Sequence, residues 1–387
     1  MYGLGVKPRV AIVTESFLPA VNGVTNSVLR VLESLQQSGI DAIVIAPAVS
    51  GERYQGVRVV KAPSLQLFGF SLALPFAGLN EALEEFSPDV IHVASPLLMG
   101  QQALMWAKRN SVPSVAVFQT DIAGYARRYG FGILSQYVDR FFAAVHSNAT
   151  LNLVPTQEIS NYLTRLKVSN IEIWGRGVDQ TLFHPNKKLS ETALELKSKL
   201  APNGEIVIGY VGRLAPEKQV ERFQEFLGLA NVVLLIVGEG PMRAKLDEVL
   251  DQPNVHFVGL KTGESLAAHY AAMDIFVHFG MEETYGQTIQ EAQAAGVAVI
   301  APYSGGPKYL IENAVSGFLI TPDDTDGYRT KVEALIGDQS LRARISEGGR
   351  RAILNKSWEA NNQELLKHYA KLVSQQSLKE LSGVKIA

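Results

Sequence analysis

The sequence predicts an α/β protein built from two doubly wound parallel sheets. In its first half, short apolar runs rich in β-branched residues alternate with helical stretches, the pattern of a parallel sheet covered on both faces. At Ile206 the pattern starts again, as a second unit of the same kind and not as a short-period repeat. The chain's 387 residues are too many for one ordinary core and fit two domains of roughly 190 each.

From the N-terminus, strands are expected at Val10 to Val13, Ile43 to Ala46, Val57 to Val60, Val90 to Val93, Val115 to Phe118 and Leu151 to Val154. Helices are expected at Val24 to Gln37, Ala77 to Phe86, Leu97 to Asn110 and Ser135 to Ser147. Pro19 to Gly23 joins the first strand to the first helix. A glycine before a helix lets backbone approach a phosphate closely, although a simple tight turn uses the same residues. The polar stretch Asn186 to Lys199 reads as the interdomain connection, with a helical turn of its own. Ile206 to Val211 is then a buried parallel strand ending in Gly212-Arg213-Leu214-Ala215-Pro216-Glu217-Lys218, after which an amphipathic helix is expected. A second strand-turn-helix follows at Val232 to Val237 with Gly238-Glu239-Gly240-Pro241, and a third strand, Asp274 to His278, leads to the loop of Glu283. After Gly349 the chain reads as helical through Trp358 and Tyr369, and Ser377 to Ala387 lacks a clear apolar face and should fray.

Chemistry concentrates at these strand ends, where open α/β sheets bind ligands. Arg213 and Lys218 can clamp a diphosphate, the arginine as a planar fork and the lysine as a point charge. Glu283 and Glu291 flank Gly286, which can open a helix running through Glu291 until Gly296 stops it. Glu283 then lies on the loop and Glu291 about one turn inside the helix, with bare amides between them as an anion site. A carboxylate inside the helix suits a ribose, and the one on the loop suits a sugar ring.

Strand-Gly-Arg-Leu-x-x-Glu-Lys, Val-Gly-x-Gly-Pro, Glu-x7-Glu and Gly305-Gly306-Pro307 together resemble retaining glycosyltransferase family 4, over essentially the whole chain. Glu15 to Thr25 is the N-terminal counterpart. Within the family, Glu15 through Ser27, Gln119-Thr120-Asp121 and Trp174-Gly175-Arg176-Gly177-Val178-Asp179 look most like actinobacterial GDP-mannose-dependent α-mannosyltransferases of phosphatidylinositol mannoside and glycolipid synthesis. The resemblance implies the GT-B fold: two Rossmann-like domains facing across a cleft, here residues 1–185, joined by the final helix at about 365–387, and residues 186–364. It implies domain closure with hinges around Gly177 to Pro185 and near Trp358.

The site residues follow by the same resemblance. Gly23, Gly212, Arg213, Lys218 and Gly238 would hold the donor diphosphate, Glu291 the ribose and Glu283 the transferred hexose. Tyr285, Gly286, Gln287 and Thr288 would shape the donor pocket. Arg213 and Lys218 would stabilise the leaving group electrostatically, in a family that works without a metal. Many members carry a histidine where Gln119 stands; glutamine can hydrogen-bond but cannot carry a proton charge, which weakens any histidine-base mechanism. Asp121 would contact the sugar or acceptor hydroxyl, or else cap a helix. Asn22, Arg127 and Arg128 are further acceptor-side candidates, the two arginines either as solvated surface or as a contact with anionic lipid. Front-face substitution is implied, the departing phosphate oxygen deprotonating the acceptor, in place of the paired-carboxylate double displacement of retaining hydrolases.

Composition narrows the alternatives. With 47% hydrophobic and 19% charged residues the chain is globular, and a net charge of −2 excludes a strong global attraction to nucleic acid. Zero cysteines exclude disulfides and thiolate metal sites, and the seven histidines lack metal-ligand spacing, so His256 and His278 read as strand or core residues. No cofactor is expected beyond the nucleotide-sugar substrate. The N-terminus lacks a signal peptide's apolar region and no apolar run approaches the roughly 20 residues that span a bilayer, so a cytoplasmic protein is expected, at most peripheral to an anionic membrane. Competing functions are a UDP-sugar-dependent transferase of the same fold, a nucleotide-sugar epimerase or hydrolase, and a non-enzymatic nucleotide-sugar sensor. The sequence leaves acceptor, linkage, nucleobase and oligomeric state open.

Overall fold

The computed structural model describes residues 7–20, 22–47, 51–67, 70–94, 96–119 and 132–381. They divide into two compact units, Met1–Gly175 with Glu359–Ala387, and Arg176–Trp358. The divisions fall before the expected ones at 185 and 364. The polar stretch at 186–199, expected as the connection, forms a 3-10 turn at Pro185–Leu189 and a helix at Glu191–Leu200 inside the second unit.

In the first unit the strands are β1 (Val10–Val13), β2 (Ala42–Pro47), β3 (Arg53–Tyr54), β4 (Val57–Ala62), β5 (Ser64–Leu67), β6 (Phe70–Ala73), β7 (Val90–Val93), β8 (Ser114–Val117), β9 (Leu151–Val154) and β10 (Ile171–Ile173). The main sheet runs β10-β9-β8-β7-β1-β2-β4-β3, parallel except for the β3–β4 pair; β5 and β6 form a separate antiparallel hairpin. The helices are α1 (Gly23–Gln37), α2 (Ala77–Phe86), α3 (Leu98–Arg109), α4 (Gly132–His146) and α5 (Gln157–Arg165). Alternation along β1 explains the two helical layers: Val10 and Ile12 enter one apolar cluster, Ala11 and Val13 another on the opposite face.

The second unit's sheet is wholly parallel, with β11 (Ile206–Val211), β12 (Val232–Val237), β13 (Val255–Gly259), β14 (Ile275–Val277), β15 (Ala298–Pro302) and β16 (Phe318–Ile320) in the order β13-β12-β11-β14-β15-β16. That is the strand order of a Rossmann sheet. Its helices are α6 (Glu191–Leu200), α7 (Arg243–Val249), α8 (Gly263–Ala272), α9 (Gln287–Ala294), α10 (Pro307–Leu310), α11 (Gly327–Gly337) and α12 (Gln339–Ile353). In β12, Val233, Leu235 and Val237 pack into one cluster and Val232, Leu234 and Ile236 into the other, so both faces are covered.

One local reading is corrected. No amphipathic α-helix follows Lys218; Gln219 is left-handed (φ 52°) and Val220–Phe226 is a 3-10 helix. Val220, Phe223 and Phe226 are all buried, and a spacing of three residues lines one face at three residues per turn.

The last helix, α13 (Trp358–Leu381), enters the first unit as the family resemblance implied. Leu365, Tyr369 and Leu372 join the cluster of Val10 and Ile12, the Tyr369 hydroxyl meets His92 Nδ1 at 2.7 Å, and Asn362 donates to Arg30 O at 2.8 Å. No helix among the described residues is long and apolar enough to cross a membrane.

Candidate active site

The strand order of the second unit reverses direction at β11 and β14, and the carboxyl ends of these two strands flank the crevice such sheets use for ligands. Gly212, Arg213 and Lys218 follow β11, and Glu283 follows β14.

Backbone packing first makes room there. A Cβ at Gly238, after β12, would stand 1.9 Å from Gly212 O, and one at Gly240 would stand 2.3 Å from Leu214 O. The two glycine turns therefore lie main chain against main chain, tied by Leu214 N to Glu239 O at 2.9 Å. The Glu283 loop is braced in the same way by the turn after β15: Gly306 N donates to Glu283 O at 2.6 Å and Ser304 Oγ to Met281 O at 2.9 Å. A Cβ at Gly306 would collide with Tyr285 O at 2.2 Å.

The charged side chains then pair. Lys218 Nζ donates to Glu283 Oε2 at 2.6 Å, each side chain 19% exposed. Arg213, 44% exposed, donates to the buried carboxylate of Glu217 at 2.6 Å. Burial pushes the Glu283 carboxyl up, but Lys218, then His278 and Arg176, outweigh it and hold it down to about 2. Glu283 is thus an anion at any working pH. Glu291 is the opposite case. It lies within α9 and accepts from the Tyr270 hydroxyl at 2.9 Å, and burial, opposed by that single bond, pushes its carboxyl up to about 7.

Gly286, at φ 103°, starts α9, and no side chain caps it. Its first-turn amides lie between the two glutamates, at the place expected for an anion site. Thr288 stands in that turn with its carbonyl accepting from Tyr270. Two neighbours bond to backbone within the unit. Tyr285 is buried and its hydroxyl donates to Arg176 O at 2.9 Å, while Gln287 Nε2 donates to Gly177 O at 3.0 Å. These two bonds tie the Glu283 loop to the start of the unit, while Gln287 Oε1 is buried without a hydrogen-bond partner.

Two residues sequence reasoning left out of the site belong beside Glu283. His278 Nε2 is 3.8 Å from Glu283 Oε2, and Arg176 carries a charge that helps keep Glu283 ionised. Arg176 stood in a quoted motif but had no neighbour to give it a role; His278, one residue past an apolar strand, read as core. Among the described residues no three His, Asp or Glu side chains gather where they could hold a metal.

In the first unit, Asn22 is a helix cap. Its Oδ1 accepts from Val24 and Thr25 N at 3.0 Å each and its Nδ2 donates to Ser16 Oγ at 2.7 Å. Both polar atoms are engaged within the protein. Gly23 opens α1 behind this cap, and Gln119 is buried just past β8. Asp121, Arg127 and Arg128 lie outside the described residues.

Comparison with known proteins decides the family. A family profile described as "Glycosyltransferase Family 4" matches residues 21–182 and one described as "Glycosyl transferases group 1" matches residues 192–352. A GDP-mannose-dependent alpha-mannosyltransferase of Mycolicibacterium smegmatis is 41% identical over 96% of this chain and 99% of its own. The chain belongs to glycosyltransferase family 4. As a member of that family it is an enzyme that carries a sugar from a donor to an acceptor. Another relative, the alpha-monoglucosyldiacylglycerol synthase of Acholeplasma laidlawii, is 27% identical over 82% of this chain and 85% of that protein. The GT-B fold is shared with the sucrose-phosphate synthase of Thermosynechococcus elongatus, at a TM-score of 0.79 and 19% identity over 95% of this chain and 99% of that one.

Proposed function

We propose that this family 4 enzyme is a retaining α-mannosyltransferase that takes mannose from GDP-mannose and delivers it to a lipid-linked acceptor. The observation that carries the donor is the 41% identity, over nearly the full length of both chains, to a relative named for GDP-mannose. A lipid acceptor is supported by the relative whose name contains diacylglycerol. Such an acceptor implies peripheral contact with a membrane surface.

In this reading Lys218, Arg213 and the uncapped amides of α9 receive the diphosphate and neutralise the charge it gains as it leaves. No metal is required for that step. Glu291 holds the ribose. Glu283, permanently ionised, stands where positive charge builds on the hexose. In the resting site it is paired with Lys218 at 2.6 Å, and in this reading front-face substitution takes the place of a covalent glycosyl-enzyme. The remaining work is positioning, since a departing phosphate oxygen can itself deprotonate the acceptor.

The test is turnover of a panel of labelled nucleotide-sugars with extracted membrane lipid, followed by mass spectrometry of the product. GDP-mannose should give a mannosyl lipid. Preference for a UDP-sugar would overturn the donor, and sugar release without an acceptor would overturn transfer itself.

A further inference from the structure

His278 follows β14 and is 2% exposed. Its main chain is satisfied: the amide donates to Ile300 O at 2.9 Å and the carbonyl accepts from the Tyr328 hydroxyl at 3.0 Å. Its ring is not. No hydrogen bond of ordinary geometry reaches either ring nitrogen, an arrangement that native cores avoid. The ring stacks on Tyr210, with centroids 6.4 Å apart and planes at 16°, and Nε2 stands 3.8 Å from Glu283 Oε2. That oxygen is the one Lys218 binds. The gap is too long for a hydrogen bond and closes to one with a shift of about 1 Å.

Gly280 keeps this corner open. A Cβ there would lie 3.1 Å from His278 Nε2 and 3.3 Å from Lys218 Cδ. Burial and the Lys218 charge push the ring down to about 4, against the Glu283 charge and the Gly280 backbone, so it is a neutral imidazole at neutral pH with one N–H to give. If the ring only filled space, an aliphatic side chain would serve without burying two ring nitrogens that lack a hydrogen bond of ordinary geometry.

We infer that His278 is a positioning residue: its Nε2–H takes hold of Glu283 when Lys218 turns to the donor diphosphate, so the carboxylate keeps its place beside the hexose after its resting partner leaves. The Lys218–Glu283 pair is then the resting form of the site, and His278 is the second partner that lets it open. This rests on the proposed assignment of Lys218 to the diphosphate and Glu283 to the hexose.

The experiment is steady-state kinetics of the full chain carrying His278→Leu or His278→Gln, beside Lys218→Ala and Glu283→Gln, with melting temperatures for all four. His278→Leu should lower kcat about tenfold or more, the size expected when a hydrogen bond to a charged group is lost, with a donor KM within about threefold of wild type and a melting temperature no lower. His278→Gln, whose terminal amide keeps a donor at similar reach, should recover most of the loss. Wild-type kcat in the leucine variant, equal losses in both variants, or a loss that follows a fall in melting temperature overturns the inference. Normal turnover in Lys218→Ala and Glu283→Gln would instead bring down the site assignment beneath it. A second readout serves if the leucine variant does not fold. In ¹⁵N-histidine spectra of the wild-type protein, the signals missing from His278→Gln identify this ring, and adding GDP should move its Nε2 signal toward that of a hydrogen-bonded N–H. No movement at saturating GDP overturns the inference.

Discussion

The two sheets place the same feature, a first strand running into a glycine turn, at the same topological point, and spend its polar groups in opposite ways. In the first unit the strand order turns at β1 and β7, and Glu15 lies two residues past β1. Its carboxyl accepts from Met99 N at 3.0 Å, Gly100 N at 3.1 Å and Ala73 N at 3.1 Å, so the N-terminus of α3, a natural anion site, already holds an internal carboxyl group. Asn22 closes the start of α1 in the same manner. In the second unit the start of α9 has no side-chain cap, and the charges around it are paired with one another within reach of solvent. One helix start is occupied by a carboxyl of its own chain, and the other has no side-chain cap. A shared strand order says where a site can be; the partners of the polar atoms say whether one is there.

The largest test of this contrast is removal of the second unit's cations. Lys218→Ala and Arg213→Ala should each lower turnover by about two orders of magnitude or more, a loss of about 3 to 4 kcal/mol of transition-state stabilisation, with the fold intact. Near-normal kcat in both would place the diphosphate elsewhere. Next, the two glutamates should fail differently. Glu283→Gln should reduce kcat with a smaller change in KM, because its charge acts as the glycosidic bond breaks; Glu291→Gln should mainly raise the donor KM by about tenfold, because it holds the ribose in ground and transition states alike. With Glu291 raised to about 7, its carboxylate is protonated as pH falls below that value and stops accepting from ribose. The donor KM should therefore rise between about pH 8 and pH 6 in the wild type and stay flat in Glu291→Gln. A covalent sugar trapped on Glu283 would reopen double displacement.

Smaller effects belong to the first unit and to stability. Burial pushes Glu15 up to about 7 against its three amide donors. Glu15→Gln, which turns an N–H toward those amides, should cost about 1–3 kcal/mol in denaturant unfolding. Asn22→Ala should cost about 0.5–2 kcal/mol as a lost cap, with turnover little changed. Lost turnover at unchanged stability would return Asn22 to the acceptor side. Last, exhaustive EDTA treatment should leave the rate unaltered, since cations and helix amides already serve the diphosphate; recovery of a lost rate by Mg²⁺ would show a metal site.

Much of the fold was readable where apolar alternation is strict. The expected spans of β1, β7, β9 and α2 coincide with the observed ones. The stretch at 186–199 misled because polarity on a short solvated helix resembles polarity in a linker; Ala193 and Leu200, its buried residues, are too few to signal a face. The segment after Lys218 misled because apolar residues three apart fit a helix until the missing i+4 partner is noticed. In the site, residue types and spacing pointed to Lys218, Arg213, Glu283 and Glu291. They could not tell which cation meets which carboxylate, since that depends on how two turns from distant parts of the chain pack. The internal bonds of Tyr285, Gln287 and Asn22 were unreadable for the same reason: a polar side chain in a motif gives no sign of which carbonyl or amide it meets.

The interlock of the two glycine turns also limits how this enzyme can be rebuilt. A protein engineer exchanging loops between relatives would treat the segments after β11 and β12 as separate cassettes. With a Cβ at Gly238 only 1.9 Å from Gly212 O, Gly212 N bonded to Val237 O at 3.0 Å and Met242 N to Leu214 O at 2.9 Å, neither has a shape of its own. The smallest transplantable piece is the pair, and chimeras carrying one loop from each parent should express as misfolded protein while those carrying both remain well formed.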